Sequence, residues 1–141
     1  MSSQFLHKAV LNKDAAEKLV NSPNYHYCSS VHCAYYSCYL QLYHIIFVIL
    51  TTGKNDFNLK KKQWFNSNKG GIHNFSIMFV YDNIDNVPIK SNFKNKIYEL
   101  KKLRVQSDYE NVSIGFEVSK AAITLANEIT KLLSTSFNYA T

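Results

Sequence analysis

Arginine is almost missing from this chain: Arg104 stands alone against fifteen lysines. A surface that needed only positive charge is served by lysine, a flexible point charge, so the single planar guanidinium marks a place where a two-pronged grip on a carboxylate or phosphate is worth having. A composition that simply disfavours arginine would leave the same count. Glycine and proline are scarce, four and two in 141 residues. That scarcity excludes a many-turned sheet protein and leaves long uninterrupted segments that suit helices. The three cysteines, Cys28, Cys33 and Cys38, are odd in number and five apart, which scatters them around a helix. No intrahelical disulfide is expected, and with an N-terminus too polar for a signal peptide the chain is expected to be cytoplasmic. A glycine-rich phosphate loop and a serine-histidine-aspartate arrangement are both lacking.

What is present is enough for one domain. At 141 residues and 46% apolar composition, a single core closes without disulfides. Residues 31–50 form the one stretch long enough for a membrane span, but His32, Ser37, Gln41 and His44 interrupt it. Those groups are costly in hydrocarbon and are easily accommodated in the central helix of a soluble bundle.

The net charge of +6 is unevenly spread. Lys54, Lys60, Lys61, Lys62 and Lys69 stand against Asp56, and Lys90, Lys94, Lys96, Lys101, Lys102 and Arg104 stand against Glu99, while the remainder is mildly acidic. Two basic segments on such a body fit a polyanion such as RNA or a nucleotide, and they equally fit a solvated lysine surface.

Helical periodicity organises the chain. Residues 3 to about 21 read as helix one, and the Asn21-Ser22-Pro23 break ends it. Helix two is expected from about Asn24 to Thr51, apolar around most of its girth and hence central. Residues 52–71 read as a long connection, because asparagine, serine and the Gly70-Gly71 pair punctuate them. A short helix three spans 72–81, with His73 placed to cap it, and residues 82–88 turn the chain. Ser91 or Asn92 is the expected cap of helix four, where Phe93, Ile97, Leu100 and Leu103 repeat at three and four residues. Helix five begins near Ser113 and carries the cleanest apolar stripe. The expected fold is all-α, an up-and-down antiparallel bundle of four to five helices in a single domain over 1–141.

Several residue groups can carry chemistry. Arg104 and Asp108 lie four apart on one helical face, which fits an intrahelical ion pair or an aspartate steadying a guanidinium that meets a ligand. Tyr35, Tyr39 and Tyr43 recur every four residues, as do His32 and Tyr36, giving an aromatic ridge suited to core, dimer contact or base stacking. Lys60, Lys61 and Lys62 run into Gln63, Trp64 and Phe65, joining phosphate-seeking charge to rings; in the other reading Trp64 and Phe65 tack the connection to the bundle. His26, Cys28, His32 and Cys33 cluster in sequence, but no second group completes a ligand set, so neither metal nor cofactor is expected.

Three segments resemble the HEPN family of small helical-bundle domains. They are Ala34-Tyr35-Tyr36-Ser37-Cys38 in helix two, Gly71-Ile72-His73-Asn74-Phe75 through Phe79-Val80, and Leu103-Arg104 through Ser107-Asp108-Tyr109. The likeness spans roughly residues 5 to 135 in order and spacing. It implies a homodimer with the arginine motif near the interface, and roles in RNA cleavage, nucleotide binding and toxin-antitoxin or defence systems, often beside a nucleotidyltransferase-type partner. It points to Arg104, Asp108, Tyr109 and Tyr36 as ligand-binding residues; the two basic segments themselves offer Lys60, Lys61, Lys62, Lys101 and Lys102 as nucleic-acid-binding candidates. Ribonuclease members carry a histidine shortly after the arginine, and positions 109 to 111, where it would fall, hold none. Positioned proton transfer commonly contributes about 10² to 10⁴ in rate, so Arg104 alone makes a weak nuclease. The expectation is therefore a module that binds RNA, a nucleotide or a partner protein. A metal-independent ribonuclease and a purely structural partner subunit are the alternatives.

Overall fold

A computed structural model describes residues 3–23, 26–51, 53–67 and 70–141. The expected start of helix two at Asn24, and Thr52, Asn68 and Lys69 of the expected connection, lie outside those residues. Six α-helices and no strand are found among the described residues, so the fold is an all-α bundle.

Helix α1 (Gln4–Val20) begins where the Ser3 hydroxyl accepts from the Leu6 N–H, and its Leu6, Ala9, Ala16 and Val20 face inward. Helix α2 (Tyr27–His44) is the central element, burying ten side chains from Ser30 to His44. It runs on into a π-helical segment, Ile45–Leu50, closed by a Thr51 N–H bond of 3.0 Å to the Ile46 carbonyl. Helix α2 with this segment, Tyr27–Leu50, is long and apolar enough to cross a membrane, yet more than half of its apolar window is buried against other helices. That burial is what the central helix of a bundle shows.

The stretch expected as a connection is instead mostly helical: α3 (Lys54–Ser67) buries Phe57 and half-buries Trp64. Two anchors seven residues apart hold one face of an otherwise polar helix. Helix α4 (Ile72–Asp82) follows closely the expected span.

Helix α5 (Val87–Tyr109) starts earlier than Ser91 or Asn92. The Asn86 side chain accepts from the Ile89 N–H at 3.0 Å, and Pro88 sits in the first turn, where a missing N–H costs nothing. Helix α6 (Phe116–Phe137) opens after Gly115 and ends at Asn138, which adopts the left-handed conformation common at helix ends.

Side-chain bonds fix the helix directions. Ser3 Oγ meets His44 Nδ1 at 2.8 Å and Ser30 Oγ donates to the Ala16 carbonyl at 2.7 Å, so α1 and α2 are antiparallel. Ser119 on the Tyr27 carbonyl, and Gln41 on Thr130, set α6 parallel to α2. His32 on Asp108 and Lys96 on Glu128 run α5 opposite to both. Helices α1, α2, α5 and α6 thus form the up-and-down bundle, around a core that includes Leu42, Ile46, Ile97, Leu100, Ile129 and Leu133.

Candidate functional site

On α5 the buried positions Phe93, Ile97 and Leu100 climb one face, and Arg104, four residues beyond Leu100, continues that row. The row carries its side chain inward, and only 9% of it remains exposed. Helix α2 supplies the floor. The guanidinium carbon lies 5.1 Å from the Tyr35 ring centre, 5.9 Å from Tyr36 and 5.7 Å from Tyr109, distances at which ring faces attract a cation.

Charge compensation for Arg104 is thin. Its Nη1 is 3.6 Å from Asp108 Oδ2, an ion pair longer than a direct hydrogen bond, and its buried Nε has no hydrogen-bond partner. The same Asp108 oxygen is 2.9 Å from His32 Nδ1. An ionised carboxylate can only accept, so Nδ1 is the donor in this bond and Asp108 fixes the orientation of the His32 ring.

Helix α4 closes the other side. His73 does not cap that helix; Gly71 precedes it without a side-chain cap, and the His73 ring lies flat on Tyr39, 4.2 Å between centres with a 10° tilt. Its Nδ1 meets the Tyr35 hydroxyl at 2.7 Å. Burial first, then the charges of Arg104 and Lys101, press His73 down from 6.5 to about 4, so its ring is neutral near pH 7. Burial also raises the Tyr35 phenol, with Arg104 partly opposing, so Tyr35 keeps its proton and can donate it to His73. Lys101 donates to Asn74 Oδ1 at 2.8 Å, and burial and Arg104 lower its affinity for a proton.

The residues expected as ligand-binding, Arg104, Asp108, Tyr109 and Tyr36, therefore come together, with Tyr36 half-buried and Tyr109 largely exposed at 75%. Lys101 joins them from the preceding turn, while its neighbour Lys102 faces solvent. Lys60, Lys61 and Lys62 stay on α3: Lys60 pairs with Asp56 at 3.2 Å and lies over Phe79, Lys61 lies over Phe57, and Lys62 is exposed. Trp64 packs toward Phe75, tacking α3 to the bundle. Of the tyrosine ridge, Tyr35 and Tyr39 are core residues.

His32 and His73 are the members that sequence reasoning did not assign to the site. Their signals were faint: His32 lies four residues before Tyr36, and His73 lies in the segment after Gly71. Beside Asp108 a surface cleft is lined by Cys28, Ser29, His32, Cys33 and Ser107. Burial and the Asp108 charge raise the Cys33 thiol, which makes it a poor nucleophile. Among the described residues no group of three or more histidine, cysteine, aspartate or glutamate side chains is arranged to hold a metal ion.

Comparisons of the chain with known protein families, with curated proteins and with solved structures return no match.

Proposed function

We propose that this chain is a HEPN-like helical module that binds a phosphate group of RNA or of a nucleotide at Arg104. The observation that carries this reading is a charge imbalance. Buried Arg104 and half-buried Lys101, one turn apart on α5, both act on the His73 ring, and the carboxylate paired with Arg104, Asp108, is itself shared with His32. An anion seated there relieves the imbalance, and the rings of Tyr36 and Tyr109 offer faces for a base. The module works in the cytoplasm in this proposal, as a homodimer or beside a nucleotidyltransferase-type partner of a toxin-antitoxin or defence system.

Titration of labelled RNA and of a nucleotide, followed by fluorescence anisotropy, tests the proposal. Arg104→Lys keeps the charge and loses the planar fork, and is expected to weaken binding by at least about tenfold. Equal affinity for the variant and the parent chain would overturn the reading.

The His32–Asp108 pair favours a second reading, metal-independent ribonuclease action. An aspartate-oriented imidazole can take the proton from a ribose 2′-hydroxyl as that oxygen attacks the phosphorus held by Arg104. The bond to the 5′-oxygen breaks, and that oxygen takes a proton from water. The products are a 2′,3′-cyclic phosphate and a 5′-hydroxyl end. Cleavage in the presence of chelator, lost in His32→Ala with RNA binding retained, is the expected pattern; intact RNA would remove this reading and leave binding standing.

A further inference from the structure

We infer that the Arg104 site takes up an anion and a proton together, the proton going to His73, so that the ligand is gripped more tightly in mild acid. This inference rests on the anion-binding reading above. His73 stands where three helices meet. From α2 it faces Tyr35 and Tyr39 across stacked rings and Tyr36 edge-on. From α5 come Arg104, 5.1 Å from the centre of the Tyr35 ring on which His73 stacks, and Lys101, bonded to the adjacent Asn74 and 5.9 Å from the Tyr98 ring centre; both charges act on His73. On its own helix it adjoins Asn74, which holds the Lys101 ammonium. The one carboxylate of the cluster, Asp108, lies beyond Arg104 and is bonded to His32.

Two cations therefore face His73, and no anionic side chain of the cluster offsets them on its side. Each opposes an imidazolium, and together with burial they hold His73 near 4 instead of 6.5. An anion between Arg104 and Lys101 cancels much of that opposition and raises the proton affinity of His73. By reciprocity, a protonated His73 raises the affinity for the anion by the same factor.

Two local features make the change easy. The Tyr35 hydroxyl, 2.7 Å from Nδ1, donates to the neutral ring and can accept from the protonated one, so the switch needs a hydroxyl rotation and no movement of the ring. The flat stack on Tyr39 places an imidazolium over an electron-rich face, which stabilises the charged form. The sign is fixed by these relations: anion affinity rises as pH falls from 6.5 toward about 4.

Sulfate is the probe, because it keeps both charges across that range and contributes no titration of its own. NMR of the full chain follows the five histidine rings against pH, with and without sulfate, and His73→Asn identifies the His73 resonance. Sulfate is expected to move the His73 midpoint upward, and sulfate affinity is expected to rise by up to roughly tenfold per pH unit within the window, a rise reduced in His73→Asn. If sulfate binds and Arg104→Lys abolishes binding, yet His73 titrates at the same pH with and without sulfate, the coupling is overturned and anion binding survives. If sulfate does not bind, or binding ignores Arg104→Lys, the anion-binding reading falls and takes the coupling with it. The midpoint is measured on the parent chain, so the experiment decides even where a variant folds poorly.

Discussion

His32 Nδ1 and Asp108 Oδ2 are separated by 76 positions in the chain and by 2.9 Å in space. The same carboxylate oxygen faces Arg104 Nη1, so one acidic group organises a histidine from α2 and an arginine from α5. Asp108→Asn removes the charge and keeps the shape. It leaves the buried guanidinium without its ion pair, and the variant is expected to lose about 1–3 kcal/mol of stability in urea unfolding. Unchanged stability would mean that the 3.6 Å pair contributes nothing and that Arg104 is held by the tyrosine rings alone.

Acid should loosen the fold through two histidines. His44 is lowered by burial and then by the N-terminal charge, and His73 is lowered to about 4, chiefly by burial. In both, the native state binds a proton less readily than the unfolded chain. Stability from these groups is therefore complete above the ordinary value of 6.5 and drains away as pH falls through the native values. Thermal unfolding is expected to show a midpoint that falls below pH 6.5, less steeply in His73→Asn than in the parent chain.

Packing of α2 against its neighbours should dominate stability. Leu42 is fully buried, whereas Leu59 on α3 is 57% exposed. Leu42→Ala is expected to cost about 2–5 kcal/mol, the range for a cavity opened in a core. Leu59→Ala is expected to stay within about 0.5 kcal/mol. Chemical denaturation of the two variants separates these outcomes, and a large loss at Leu59 would mean that α3 packs more tightly than its exposure indicates.

The lysines of α3 are not equivalent. Lys60 is tied to Asp56, while Lys62 is exposed and without a partner among the described residues. Under the RNA-binding proposal, Lys62→Gln is expected to lower affinity evenly across sequences and to flatten its salt dependence by about one unit of log–log slope, with Lys60→Gln doing less. Identical salt slopes for both variants and the parent would place the RNA path elsewhere.

Much of the fold could be read in the chain because α5 and α6 repeat their apolar residues at three and four, and because the girth of α2 is apolar nearly all round. Arg104 and Asp108 could be set on one face for the same reason. Helix α3 was hidden because a single buried residue, Phe57, and the half-buried Trp64 fix it, too sparse a stripe among asparagines and lysines. The start of α5 was obscured by reading Pro88 as part of a turn, when with Asn86 it opens a helix. His32 and His73 belong to the site through the rotation and register of three helices. Local spacing carries no record of such a relation, so only the packed structure brings the two rings to Arg104.

Helix α2 also brings the outer parts of the chain together. His44 bonds Ser3 at 2.8 Å while its ring meets Tyr139 at 5.2 Å, so positions 136 residues apart in sequence dock on one imidazole. His44 lies nine residues beyond Tyr35, about 13 Å along the axis, which sets this junction apart from the cluster around Arg104. A short linker can therefore splice position 139 to position 3, and new ends opened between α5 and α6 would give a circular permutant with the same packed interior.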